Sequence, residues 1–219
     1  MEFRTLRADE IDCRVNTINE KGLTLLLYKD ARVDMNILDE TVGSENWQRD
    51  HKELKGNIYC GISIWSEDKQ QWVTKWDCGS ESYTEKEKGE ASDSFKRAGF
   101  NVGIGRELYT SPFIWISKDN CTIQLKNDKY TTYDTFRVKS ISYNANREID
   151  GLTIVNSKTN IVAFRYGKQD DMITEEQKEQ IKKKFTKEEI LELLNDYDHK
   201  KISEFTKEEA EMLLSNEEK

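Results

Sequence analysis

Apolar residues change their spacing several times along this 219-residue chain, and each change predicts an element. In ADEIDCRVNTI, acidic residues suited to a helix N-terminus precede Ile11, Val15 and Ile18 at helical spacing. This predicts a first helix with Arg14 off its apolar stripe. GLTLLLY, Gly22 to Tyr28, reads as a short buried strand. DARVDMNILDETVG places Val33, Ile37 and Leu38 on one helical face, with Gly43 as its C-cap. From Trp47 the period becomes two. WQRDHKEL, NIYCGISIWSE and QQWVTKWDCGS predict three antiparallel strands, turning at Lys55-Gly56-Asn57 and Glu67-Asp68-Lys69. A helix from about Thr84 to Phe100 follows, carrying Ala91, Phe95 and Ala98 on one face until Gly99 and Gly103 break it.

Beyond the single proline, Pro112, FIWIS predicts a strand. TIQLKN, KYTTYDTFRVKSISYN and LTIVNSKTNIVAFRYG predict more, as an edge extension or a small β-subdomain whose order the pattern leaves open. The last fifty residues have another character. Thr174-x-x-Gln177, Thr186-x-x-Glu189 and Thr206-x-x-Glu209 each fit a capping box, in which two side chains satisfy each other's free N–H groups. The string FTKEE occurs in two of them, and Ile190, Leu193 and Leu194, then Ala210, Leu213 and Leu214, give their helices one apolar face. The expectation is an α+β fold: an antiparallel β-meander packed on a central helix, with a small C-terminal helical bundle. The domains would be 1–168 and 169–219, joined near GKQDDM.

Composition narrows the functional classes. No stretch reaches the roughly 18 apolar residues of a membrane span, and MEFRTLRADEID is too polar for a secretory signal. A cytoplasmic protein is expected. Cys13, Cys60, Cys78 and Cys121 are scattered without a CxxC, and there are two histidines, so reduced structural thiols are expected rather than a zinc site. The net charge of −8 disfavours nucleic acid only until it is divided. Residues 1–168 hold 25 basic and 26 acidic side chains, and residues 169–219 hold 9 and 16. The acidity lies in the tail, where it would repel phosphate, so the tail reads as a docking module or a solubilising appendage.

The segment Tyr83 to Tyr109 carries the candidate chemistry. Lys96 and Arg97 stand side by side one turn before Gly99, Gly103 and Gly105. Two adjacent cations next to a glycine-spaced turn suit phosphate, although an isolated pair on a helix is ordinarily a solvated face. The glycines follow a helix, whereas the dinucleotide fingerprint precedes one, and no GxxxxGK[ST] occurs. They read as a C-cap and tight turn. No HExxH or GxSxG is present, and pairs such as Asp77 with Glu81, or Glu85 with Glu87, have no diagnostic spacing. Trp47, Trp65, Trp72, Trp76, Tyr59 and Tyr83 gather around the meander, mostly as core, with one or two available to stack on unpaired bases.

In this order of elements, and above all in KGEASDSFKRAGFNVGIG, the chain resembles the Rad-type single-strand annealing proteins of double-strand-break repair, and their phage and prophage relatives most. The likeness covers about residues 8–115. It implies an ATP-independent DNA-binding and annealing protein of phage homologous recombination, not an enzyme, without cofactor or metal, acting as a ring or filament of identical subunits in a bacterial cytoplasm. By position it implies that Lys96 and Arg97 line an inner groove for single-stranded DNA, with Arg14 from the first helix pointing into it. It also implies an outer site built from Lys52, Lys55 and Lys75, opposed by the acidity of EKEKGEASD. The tail's partner would be a host single-strand-binding protein, a nuclease or a replication factor. Two alternatives stay open: a metal-dependent nuclease, and a phage regulator that binds a host protein.

Overall fold

The computed structural model describes residues 1–79, 86–167, 172–197, 199 and 201–215, with backbone alone at 86–88. The fold is α+β, and the chain divides into two compact units, Met1–Gly167 and Lys168–Lys219. Tyr83, Glu81, Glu85 and residues 168–171 of the expected linker lie outside the described residues, as does the Glu87 side chain.

The predicted first helix is a strand. A short 3-10 turn at Ala8–Glu10 leads into β1 (Asp12–Asn19), which pairs antiparallel with β2 (Gly22–Tyr28). The register slips between Val15 and Thr17. Cys13 and Val15 pack on the core, and the extra residue of the bulge turns Ile18 back to the same side. A bulged strand thereby reproduces helical spacing. The turn between β1 and β2 is held by the Asn19 side chain, whose oxygen accepts from the Lys21 and Gly22 amides at 2.8 and 3.2 Å.

α1 (Ala31–Val42) starts at Asp30, which accepts from the Arg32 amide at 2.8 Å, and stops at Gly43 with φ +84°. It buries Val33, Ile37 and Leu38. Next come β3 (Trp47–Leu54), β4 (Asn57–Ser66) and β5 (Gln71–Cys78), a three-stranded antiparallel sheet in chain order. Lys55 and Gly56 both take positive φ between β3 and β4, as the tight hairpin demands. α2 (Lys86–Val102) then packs across one face of this sheet, with Phe95 and Ala98 buried against Cys60, Ile62 and Ile64. At roughly 1.5–3 kcal/mol for each large apolar side chain removed from water, this interface is a main source of stability.

β6 (Ile114–Ser117) pairs with β2. After the small hairpin of β7 (Gln124–Lys126) and β8 (Lys129–Thr131), β9 (Phe136–Tyr143), β10 (Ile149–Asn156) and β11 (Val162–Gly167) extend the main sheet on its β1 side. The order is β11-β10-β9-β1-β2-β6, curled so that β11 approaches β6 in a partly barrel-like shape. The N-terminal segment is clasped onto this sheet. Buried Glu107 accepts from the Leu6 amide at 2.7 Å, Tyr143 donates to the Leu6 carbonyl at 2.9 Å, and Arg147 donates to the Phe3 carbonyl at 2.7 Å.

In the second unit α3 (Glu175–Lys184), α4 (Lys187–Asp196) and α5 (Lys207–Ser215) surround Ile181, Leu194, Phe205, Ala210 and Leu213. All three capping boxes form, the Thr206 amide donating to Glu209 at 2.7 Å and the Glu209 amide to Thr206 at 3.2 Å. Replacing Thr186 with alanine is expected to cost this unit about 1 kcal/mol, read as a lower midpoint of helical circular dichroism in urea. No change in midpoint would show that water replaces the cap without loss.

Candidate nucleic-acid interface

The end of β2 brings a charge into the interior. Lys29 follows the apolar run of β2, and its ammonium donates to both carboxylate oxygens of Asp34 on α1, at 2.6 Å to Oδ2. Their side chains are 1% and 0% exposed. The ammonium also donates to the Lys96 carbonyl at 3.2 Å and stands 4.3 Å from the centre of the Phe100 ring. Burial pushes the Asp34 carboxyl up to about 6 and the Lys29 ammonium down, since each charge has left water. The pair ties together β2, α1 and α2.

Two of the three glycines, Gly99 and Gly105, are built around this pair. Gly99 does not break α2 but lies inside it, because a Cβ there would sit 2.3 Å from Asp34 Oδ1 and 3.2 Å from Lys29 Nζ. A Cβ on Gly105 would lie 2.7 Å from Lys29 Cε. Gly103 ends the helix. Its φ is +116°, its amide donates to the Phe100 carbonyl at 3.1 Å, and the Ile104 amide donates to Gly99 at 2.9 Å, which is the Schellman arrangement.

With one side of α2 on the sheet, Lys96 and Arg97 fall on its two flanks, about 100° apart around the helix. Lys96 is half-buried, 4.0 Å from Asp93. Arg97 is 49% exposed, and its Nε donates to Asp77 Oδ1 at 3.3 Å. Asp77 also accepts from the Cys78 amide and from Asn101, so this carboxylate anchors β5 to α2. A phosphate reaching Arg97 replaces one anionic partner by another.

Arg14 is not on a helix. It is exposed on β1, opposite Leu26 of β2, and makes no hydrogen bond or ion pair among the described residues. Tyr28, next outward on β2, feels the charges of Asp12, Arg14 and Asp30, and Asp30 feels that of Lys96. Lys96 thus stands toward the end of β2, whereas Arg97 is held at β5 by Asp77, and Arg14 lies apart on β1.

The outer candidates are spread over the meander. Lys52 stands 3.8 Å from Asp50 and 4.4 Å from the centre of the Trp76 ring, on the face away from α2. Lys75 is opposite Ile62 and therefore points to the α2 side, and Lys55 occupies the β3–β4 turn. These three lysines do not share a face. The tryptophans are divided too. Trp47 stacks on Phe95, Trp76 covers Gly61, and Trp72 is 41% exposed with its edge toward Trp65.

Two features escaped sequence reasoning. One is the Lys29–Asp34 pair, whose only sequence signal is an aspartate on the apolar stripe of Val33, Ile37 and Leu38. The other is an exposed apolar group on the outer face of β2 and β6: Leu26, Tyr28, Phe113 and Trp115. A scan against protein-family models and searches of curated proteins and of solved structures find no match to this chain.

Proposed function

We propose that the unit Met1–Gly167 binds single-stranded DNA through its phosphates and anneals complementary strands without nucleotide hydrolysis. The carrying observation is the pair Lys96 and Arg97 on α2, both off the side that packs on the sheet, and this reading adds Arg14 of β1, which makes no hydrogen bond or ion pair among the described residues. Three cations supply modest affinity in one subunit. Repeated through an assembly of identical subunits they form a continuous track, whose avidity exceeds that of any single site. In this reading β3–β4–β5 with α2 is the annealing-protein core, and the chain serves phage recombination. The acidic second unit, unsuited to phosphate, docks a protein partner.

The test is annealing of complementary labelled oligonucleotides without ATP. Wild type is expected to accelerate it. Lys96→Ala/Arg97→Ala is expected to slow it by about tenfold or more and to flatten the dependence of log affinity on log salt by about 1.4, roughly 0.7 for each single-strand phosphate left without its cation. A double variant that anneals like wild type sinks the site assignment. Cleavage of the strands after adding magnesium or manganese moves the reading to a nuclease.

A further inference from the structure

The outer face of β1, β2 and β6 leaves large apolar side chains in water. Phe113 is 78% exposed, Leu26 53%, Tyr28 41% and Trp115 37%. They are neighbours by register. Trp115 is opposite Thr24, and Leu26 and Tyr28 follow on the same face of β2. Phe113 immediately precedes β6. The Trp115 indole rests on bare backbone. A Cβ on Gly22 would lie 2.5 Å from its Cζ2 and 2.8 Å from its Cε2, so one ring face covers that glycine. Surface apolar residues scattered singly need no explanation, but a contiguous group of this size marks a binding surface.

Arg14 shows what the surface takes. It projects from β1 opposite Leu26, two strands from Trp115 and therefore roughly 10 Å away across the sheet. Its guanidinium makes no hydrogen bond or ion pair among the described residues, and the one carboxylate beside it on this face, Asp12, lies opposite Tyr28 toward the strand end. An apolar protein surface closing over this face would strand that charge. A nucleotide offers an anion and a flat aromatic face within the same reach. We propose that the outer face of β1, β2 and β6 is a base-stacking platform for single-stranded DNA, with Trp115 and Phe113 as the rings, Leu26 and Tyr28 between, and Arg14 on a phosphate. This rests on the DNA-binding reading above and adds where the bases lie.

Stacking on aromatic side chains is tolerant of sequence and comparable in strength to phosphate contacts, so its removal leaves a distinct signature. The probes are a labelled oligothymidylate of about 20 nucleotides and an abasic strand of the same length, titrated into the full chain. Wild type is expected to prefer the thymidylate. Trp115→Ala/Phe113→Ala is expected to weaken thymidylate binding by roughly 10- to 100-fold, leave abasic binding unchanged, and keep the salt slope. Arg14→Ala is expected to weaken both strands and reduce the slope by about 0.7. Trp115→Phe/Phe113→Tyr is expected to retain thymidylate affinity within about threefold.

Wild-type binding that the alanine pair leaves intact overturns the platform and spares the Lys96/Arg97 reading. Absence of wild-type binding at low salt overturns both. A lower solution mass for the alanine pair, with affinity per subunit kept, identifies a self-association face and also overturns the platform. Should the alanine pair fail to fold, the wild-type comparison decides, because equal affinity for thymidylate and abasic strands leaves no role for stacking.

Discussion

Replacing Asp34 with alanine is expected to destabilise the unit Met1–Gly167 by about 3–5 kcal/mol, because it strands the buried Lys29 ammonium. The lysine cannot reach water by a simple rotation. Its stem passes Gly105, its head sits over Phe100, and among the described residues the Lys96 carbonyl is the only other oxygen hydrogen-bonded to it. Removing both charges is a different experiment. Lys29→Met/Asp34→Leu keeps comparable volume without desolvated charge, and is expected to be near neutral or stabilising by up to about 4 kcal/mol. Urea unfolding followed by tryptophan fluorescence reads this unit alone, since all five tryptophans fall between Trp47 and Trp115. A loss under about 1 kcal/mol for Asp34→Ala would mean that Lys29 finds water and that the tie between β2, α1 and α2 is slack.

The same pair sets a pH dependence whose sign runs against that of an ordinary exposed ion pair. Burial raises the Asp34 carboxyl from 3.8 to about 6. A group raised on folding contributes stability that is complete below its unfolded value and is lost as pH climbs through its folded value. Measured against Asp34→Asn, which does not titrate there, the wild-type advantage is expected to fall between about pH 4 and pH 6 and to level off above. An advantage that grows over that window would show that Lys29 stabilises the carboxylate more than burial penalises it.

What the sequence reveals of this fold depends on how local the deciding interaction is. The meander was legible because strand alternation, a Lys-Gly hairpin and a following helix are all written within neighbouring residues. The tail was legible for the same reason, its capping boxes being four-residue patterns. β1 was not. Its bulge between Val15 and Thr17 is set by pairing with β2, and it converts alternation into a helix-like spacing. The position of β9 to β11 depends on a long-range pairing, Asp12 opposite Arg137, that no local pattern encodes. At the site, Lys96 and Arg97 were visible as a pair, yet the partner of Arg97 is Asp77, twenty residues earlier on β5. Arg14 and Trp115 share a face only because β2 lies between their strands.

The glycines give the sharpest division between a structural and a ligand-binding turn. In an exposed helix, glycine to alanine stabilises by up to about 1 kcal/mol, because the backbone loses less entropy on folding. At Gly99 the sign is expected to reverse. Gly99→Ala places its methyl 2.3 Å from Asp34 Oδ1, in a site where both charged partners are fixed, so it is expected to cost about 1–3 kcal/mol. In an Asp34→Ala background the obstacle is gone and the two losses are expected to fall short of their sum, a coupling that urea midpoints resolve. Affinity for single-stranded DNA, normalised to folded protein, is expected to stay within about threefold of wild type, as the proposed stacking and phosphate contacts lie elsewhere. If the turn instead cradled phosphate on its amides, Gly99→Ala would leave the midpoint alone and weaken binding. The two roles predict opposite pairs of results, because one loads the interior of the unit and the other its surface.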